Sequence, residues 1–65
     1  MKVQVSGQFR YDVPGHTEQG LQDYAIEFEI ENFHRGDILV EAAKLLKKEN
    51  PAFDSLRTHA IEVVE

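Results

Sequence analysis

Apolar and polar residues alternate one by one in two stretches of the chain. From Tyr24 to Glu31, Tyr24, Ile26, Phe28 and Ile30 fall on one face of an extended backbone, and Glu27, Glu29 and Glu31 on the other. A period of two over that span predicts a half-buried β-strand that ends near Asn32. The stretch Lys2 to Val13 repeats the pattern. Val3, Val5, Phe9, Tyr11 and Val13 share one side, and Lys2, Gln4, Ser6, Gln8, Arg10 and Asp12 share the other. Gly7 occupies a place in the apolar register, which marks a bulge or a bend. Pro14 and Gly15 end this first strand, because Pro lacks the N–H a ladder needs and Pro-Gly is a turn pair. Residues 14–23 then form a connection that is polar apart from Leu21. It is longer than a usual hairpin loop, and the simplest reading is a hairpin whose strands run on into it.

The period changes after Asp37. Ile38, Leu39, Ala42, Ala43, Leu45 and Leu46 make one helical stripe, with Glu41, Lys44, Lys47 and Lys48 on the polar side. Val40 lies off the stripe and is expected to be exposed. Asp37 is the expected N-cap, and Pro51 stops the helix at about Asn50. Residues 50–55 read as a turn that folds Phe53 back onto the core. Leu56 to Val64 resumes alternation, with His59, Ile61 and Val63 on one face and Thr58, Ala60, Glu62 and Val64 on the other. A third strand is the preferred reading, and a short second helix over 52–64 is the competing one.

The order ββαβ predicts an α+β two-layer sandwich, with a three-stranded sheet and one helix packed on one of its faces. A right-handed crossover from strand 2 through the helix makes strand 3 parallel to strand 2. Strand 3 then lies beside strand 2 or passes over it to pair antiparallel with strand 1. The second arrangement, order 2-1-3 and mainly antiparallel, is preferred. Strand 1 has the less charged outer face, and the glutamates of strand 2 suit an edge that must not pair with itself.

Length sets the next bound. Sixty-five residues are read as a single small domain, 1–65, of a size that buries only about 60% of its unfolded surface. A second copy would add apolar burial, so a homodimer joined through strand 3 or the helix is one expectation. The chain has no cysteine, which removes disulfides and thiolate metal sites and suits a reducing compartment. Its N-terminus lacks the apolar run of a signal peptide. The longest uninterrupted apolar run is Ile38–Val40, too short for a bilayer. The expectation is a cytoplasmic protein with no membrane partner.

Charge narrows the partners. Seven basic and twelve acidic residues give a net −5, and most of the deficit lies in residues 1–33. A basic nucleic-acid footprint is missing, so direct nucleic-acid binding is disfavoured and a basic partner surface is favoured. The glutamate row is the most distinctive feature. Alternate strand residues lie about 6.5–7 Å apart, a separation seen in working carboxylate pairs, yet catalysis also needs a cleft that perturbs one of them. A solvated face is the simplest account, and a surface for a basic partner comes next. His16, His34 and His59 have no local metal-ligand spacing. Ser6 and Ser55 sit in no nucleophile motif, and Lys44, Lys47 and Lys48 read as a solvated helix face. No catalytic residue, metal or cofactor is assigned. The expected function is a small acidic protein-interaction module without catalytic activity, with Glu27, Glu29, Glu31, Val40 and Glu62 as partner-binding residues. The alternative is an acidic nucleic-acid mimic that occupies the groove of a basic protein. Strand addition at a free sheet edge is the recognition mode that suits strand 3.

Overall fold

The computed structural model describes residues 1–64. Strand β1 (Lys2–Tyr11) is followed by β2 (Gly20–Glu29), helix α1 (Arg35–Glu49) and β3 (Phe53–Val63). The sheet order is β2-β1-β3, and β1 is antiparallel to both neighbours. The α+β two-layer arrangement and the central place of β1 are therefore as the sequence implies. β3 is a strand throughout, which removes the second-helix reading.

Several boundaries differ from expectation. β1 stops at Tyr11 rather than Val13, because the Asp12 N–H turns to the Ala52 carbonyl (2.9 Å) and Val13 closes a turn with His16 (3.1 Å). β2 begins at Gly20, so Leu21, Gln22 and Asp23 belong to the ladder and not to a loop. The ring of Tyr11 lies across Gly20, its cross-strand partner, where no side chain competes for the space. β2 also ends sooner, at Glu29, and Glu31 sits in the bend beyond it. The helix starts at Arg35, one turn earlier than expected. His34, not Asp37, is the N-cap residue, and it makes no side-chain cap bond. The Ile38 N–H already bonds the His34 carbonyl (2.9 Å). Asp37 lies in the first turn, where its charge still suits the positive helix end. At the other end the Asn50 N–H bonds Leu46 O (2.8 Å), and Phe53 N–H returns to Asn50 O (2.8 Å). That tight turn delivers Phe53 to the core.

The core is the layer between the helix and one sheet face. Val3, Val5 and Phe9 from β1, Tyr24 from β2, Ile38, Ala42 and Leu46 from α1, and Phe53 are buried. The helix contributes at four-residue steps, one side of its surface. Phe9 is the hub of the aromatic residues: its ring lies 5.5 Å from Phe53, 6.1 Å from Tyr24 and 6.2 Å from Tyr11. Fifteen helical residues span about 22 Å, whereas ten strand residues reach about 33 Å. The helix thus covers only part of the sheet's length.

Tyr24 joins the three strands. It pairs with Gly7 across β1, and its hydroxyl donates to the Thr58 carbonyl on β3 (3.0 Å). The ring must therefore cross β1 over Gly7, the one core-facing position of that strand without a side chain. Burial pushes the Tyr24 phenol above its ordinary pKa, so the folded state holds the proton more tightly than the unfolded chain. That contribution is complete below the ordinary tyrosine value of about 10 and is lost as pH rises through the folded value. Tyr24→Phe is expected to lose about 1 kcal/mol at neutral pH and to flatten the alkaline fall in stability, read by urea unfolding at a series of pH values. An unchanged alkaline fall would assign it to other groups.

Candidate interaction surfaces

The second sheet face has no helix over it. Side chains of β1 there are Lys2, Gln4, Ser6, Gln8 and Arg10, and the cross-strand register sets Glu29, Glu27, Ala25, Asp23 and Leu21 beside them. The face is tied together by polar contacts rather than left as a bare acidic row. Gln8 donates from Nε2 to Asp23 Oδ1 (3.1 Å) and accepts at Oε1 from Arg57 Nη1 (2.8 Å), so one hydrogen-bonded chain runs across all three strands. Lys2 Nζ lies 3.5 Å from Glu27 Oε2, and the Met1 amine lies 3.5 Å from Glu29 Oε2. Such exposed pairs stabilise by only about 0–1 kcal/mol each. Their larger consequence is to mix positive charge into the negative surface.

The residues singled out from sequence divide between two surfaces. Glu27, Gln4 and Glu62 form one cross-strand row on the open face, with Gln4 between the two carboxylates, and Glu29 pairs with Lys2. Glu31 does not join them. Val40 is on the other layer, 54% exposed, on the side of the helix next to β3. There it shares an open groove with Ala43, Lys44, Lys47, Phe53 and Asp54. Lys47 closes the groove end by donating to Pro51 O (2.7 Å) and Phe53 O (3.3 Å).

The sequence pointed to a free edge of strand 3 but not to which of its backbone groups face outward. β3 is an outer strand of the sheet, and Val63 and Val64 are 50% and 40% exposed. The Val64 N–H bonds Lys2 O (3.0 Å). Because the two sides of an antiparallel strand alternate, Glu62 and Ala60 also direct their N–H and C=O groups to β1. Val63, Ile61 and His59 direct theirs outward, away from the sheet. This alternation was readable once β3 was known to pair with β1 through one edge. Farther along, β3 shifts register between Gln8 and Phe9, and again between Arg10 and Tyr11. Bulges bend and twist a strand, so the regularly paired stretch Thr58 to Val64 is taken as the flat part of the edge.

His16, His34 and His59 are all exposed, on a loop, at the helix start and on β3. Among the described residues, no group of His, Asp and Glu comes together as a metal site. No helix among the described residues is long and apolar enough to cross a membrane. No protein-family model, curated protein or solved structure matches the chain.

Proposed function

We propose that the chain is a small non-catalytic protein-interaction module of the cytoplasm, which meets a protein partner through the β3 side of the fold. The observation that carries this reading is the exposed edge of β3, with Val63 and Val64 beside it and outward-facing backbone groups at His59, Ile61 and Val63. An open edge is a ready template for another strand, and strand addition is a recurrent mode of recognition. Glu62 lies on the open face beside that edge, and Val40 lines the groove between the helix and the Phe53 end of β3. Glu27 and Glu29, on the far outer strand of the open face, would meet only a wider partner with a basic rim, and Glu31 lies just beyond them. The reading includes no cofactor.

The competing idea, an acidic nucleic-acid mimic, draws less support. A mimic needs uninterrupted negative charge, whereas Lys2 sits against Glu27 and Arg10 and Arg57 lie among the other polar side chains of the sheet. Affinity capture separates the two. Val63→Lys is expected to abolish partner capture, while the triple change Glu27→Gln, Glu29→Gln, Glu62→Gln is expected to weaken it no more than a few-fold. Capture that survives Val63→Lys but is lost in the triple variant, with steep salt dependence, would favour the mimic instead.

A further inference from the structure

We propose that the partner of the β3 edge is a second copy of this chain, paired β3 to β3 about a two-fold axis at Ile61. The inference rests on the interaction-module reading and names its occupant. Only residues with outward N–H and C=O groups can exchange hydrogen bonds with an added strand. On the flat part of β3 these are His59, Ile61 and Val63, a set symmetric about Ile61. Antiparallel self-pairing centred there sets Ile61 opposite Ile61 and His59 opposite Val63, twice, and each of these pairs exchanges both backbone bonds. Centring the axis on His59 sends Val63 past the bulge and leaves its groups unpaired. The register at Ile61 thus uses every outward group of the flat segment.

The side chains agree with that register. On the helix side, Ile61 meets its own copy and the half-exposed Val63 covers the His59 ring. On the open side, the small Ala60 lies opposite Glu62, and Thr58 lies opposite the exposed Val64. No like charges face each other. The result is one continuous sheet in the order β2-β1-β3-β3-β1-β2, an isologous contact of the kind that closes a dimer.

The other outer strand behaves in the opposite way. Met1 and Ile30 exchange backbone bonds (Ile30 N–H to Met1 O 2.8 Å, Met1 amine to Ile30 O 3.2 Å). By the same alternation, β2 turns the backbone of Leu21, Asp23, Ala25, Glu27 and Glu29 outward. Self-pairing about Ala25 sets Asp23 against Glu27. Self-pairing about Asp23 or Glu27 sets each carboxylate against its own copy. Like charges directly opposite are destabilising, so these registers of β2 are disfavoured by charge, whereas the register at Ile61 on β3 opposes no like charges.

Sedimentation equilibrium of the full chain, up to about millimolar concentration, tests this. The expected result is a reversible shift from 7.5 kDa to twice that mass. Hydrogen exchange should show the His59, Ile61 and Val63 amides gaining protection as the dimer fills. Ile61→Pro removes an outward N–H without breaking a bond to β1, and Val63→Lys puts a charge at the pairing edge. Both should stay monomeric with an unchanged circular dichroism spectrum, whereas Glu18→Lys in the exposed loop before β2 should leave the β3 dimer intact. A wild-type monomer throughout the range overturns the inference, as does a dimer that persists in Val63→Lys or leaves those amides unprotected. A monomer that still loses a captured partner on Val63→Lys overturns self-pairing alone and leaves the interaction module standing. A dimer with no other captured protein does the reverse for any wider partner.

Discussion

Phe9→Ala is expected to unfold much of the protein at room temperature. Phe9 is 1% exposed and touches the aromatic rings of all three strands' contributions to the core. Truncating a buried Phe costs about 3–5 kcal/mol, through lost transfer energy and the cavity left behind. A chain of 65 residues has a total stability of roughly 3–10 kcal/mol at ordinary values per residue. The loss is therefore about a third of the whole or more. At about 4–8 °C per kcal/mol for a domain this small, the midpoint should fall by roughly 12–40 °C. Val40→Ala is the contrast, since Val40 is 54% exposed and should shift stability by no more than about 0.5 kcal/mol. Thermal melts of the two variants under one set of conditions decide the matter. A Phe9→Ala midpoint within a few degrees of wild type would mean that the core is not organised around this ring.

The place of Phe9 was legible before any coordinates, as was most of the architecture. Alternation identified the inward faces of β1 and β2, and the four-residue steps of Ile38, Ala42 and Leu46 identified the inward side of α1. Order 2-1-3 followed from charge, because a strand with three glutamates on one face is a poor neighbour on both sides. What the sequence hid was local backbone chemistry. Gly20 to Asp23 carries the composition of a loop, yet it pairs with β1 because the Tyr11 ring fills the space above Gly20. Asp37 has a favourable side chain for a cap, but the helix begins one turn before it, at a His34 that makes no side-chain cap bond. Propensity describes one residue at a time, and the neighbour that overrides it is distant in sequence.

The interaction surface was legible in part for the same reason. Glu27, Glu29 and Glu62 are on the open face as alternation required, but Glu31 is not, because the strand ends two residues sooner. The counter-charges Lys2 and Arg57 could not be assigned to those carboxylates or to Gln8 without the register between strands. Nor could the direction of each backbone group on β3. Side-chain pattern shows which face a residue occupies, whereas edge chemistry depends on which neighbour its amide has taken. The Val64 to Lys2 bond supplies that information for the whole edge.

Gly7→Ala should rank close to Phe9→Ala, although it adds a methyl group rather than removing a ring. Gly7 has φ +147, a conformation that L side chains rarely adopt. A Cβ there would also press into the Thr58 carbonyl oxygen and lie 2.9 Å from Thr58 Oγ1. Thr58 cannot give way without loss, because its carbonyl accepts from the Tyr24 hydroxyl (3.0 Å) and its Oγ1 accepts from the Gln8 N–H (2.9 Å). Backbone strain of about 1–3 kcal/mol and a clash of about 1–3 kcal/mol together predict a loss of roughly 2–6 kcal/mol. Reduced freedom of the unfolded chain returns about 0.4–1 kcal/mol at most. Gly15 separates the two terms: its φ is +81, but nothing lies within 4 Å of an added Cβ. Gly15→Ala should therefore show only the dihedral cost, about 1–2 kcal/mol. Urea unfolding of both variants gives the difference directly. A gap of about 1–3 kcal/mol would assign it to the Thr58 contact. Equal losses would mean that β3 shifts freely at its bulge, and that Tyr24 does not lock the three strands together across Gly7.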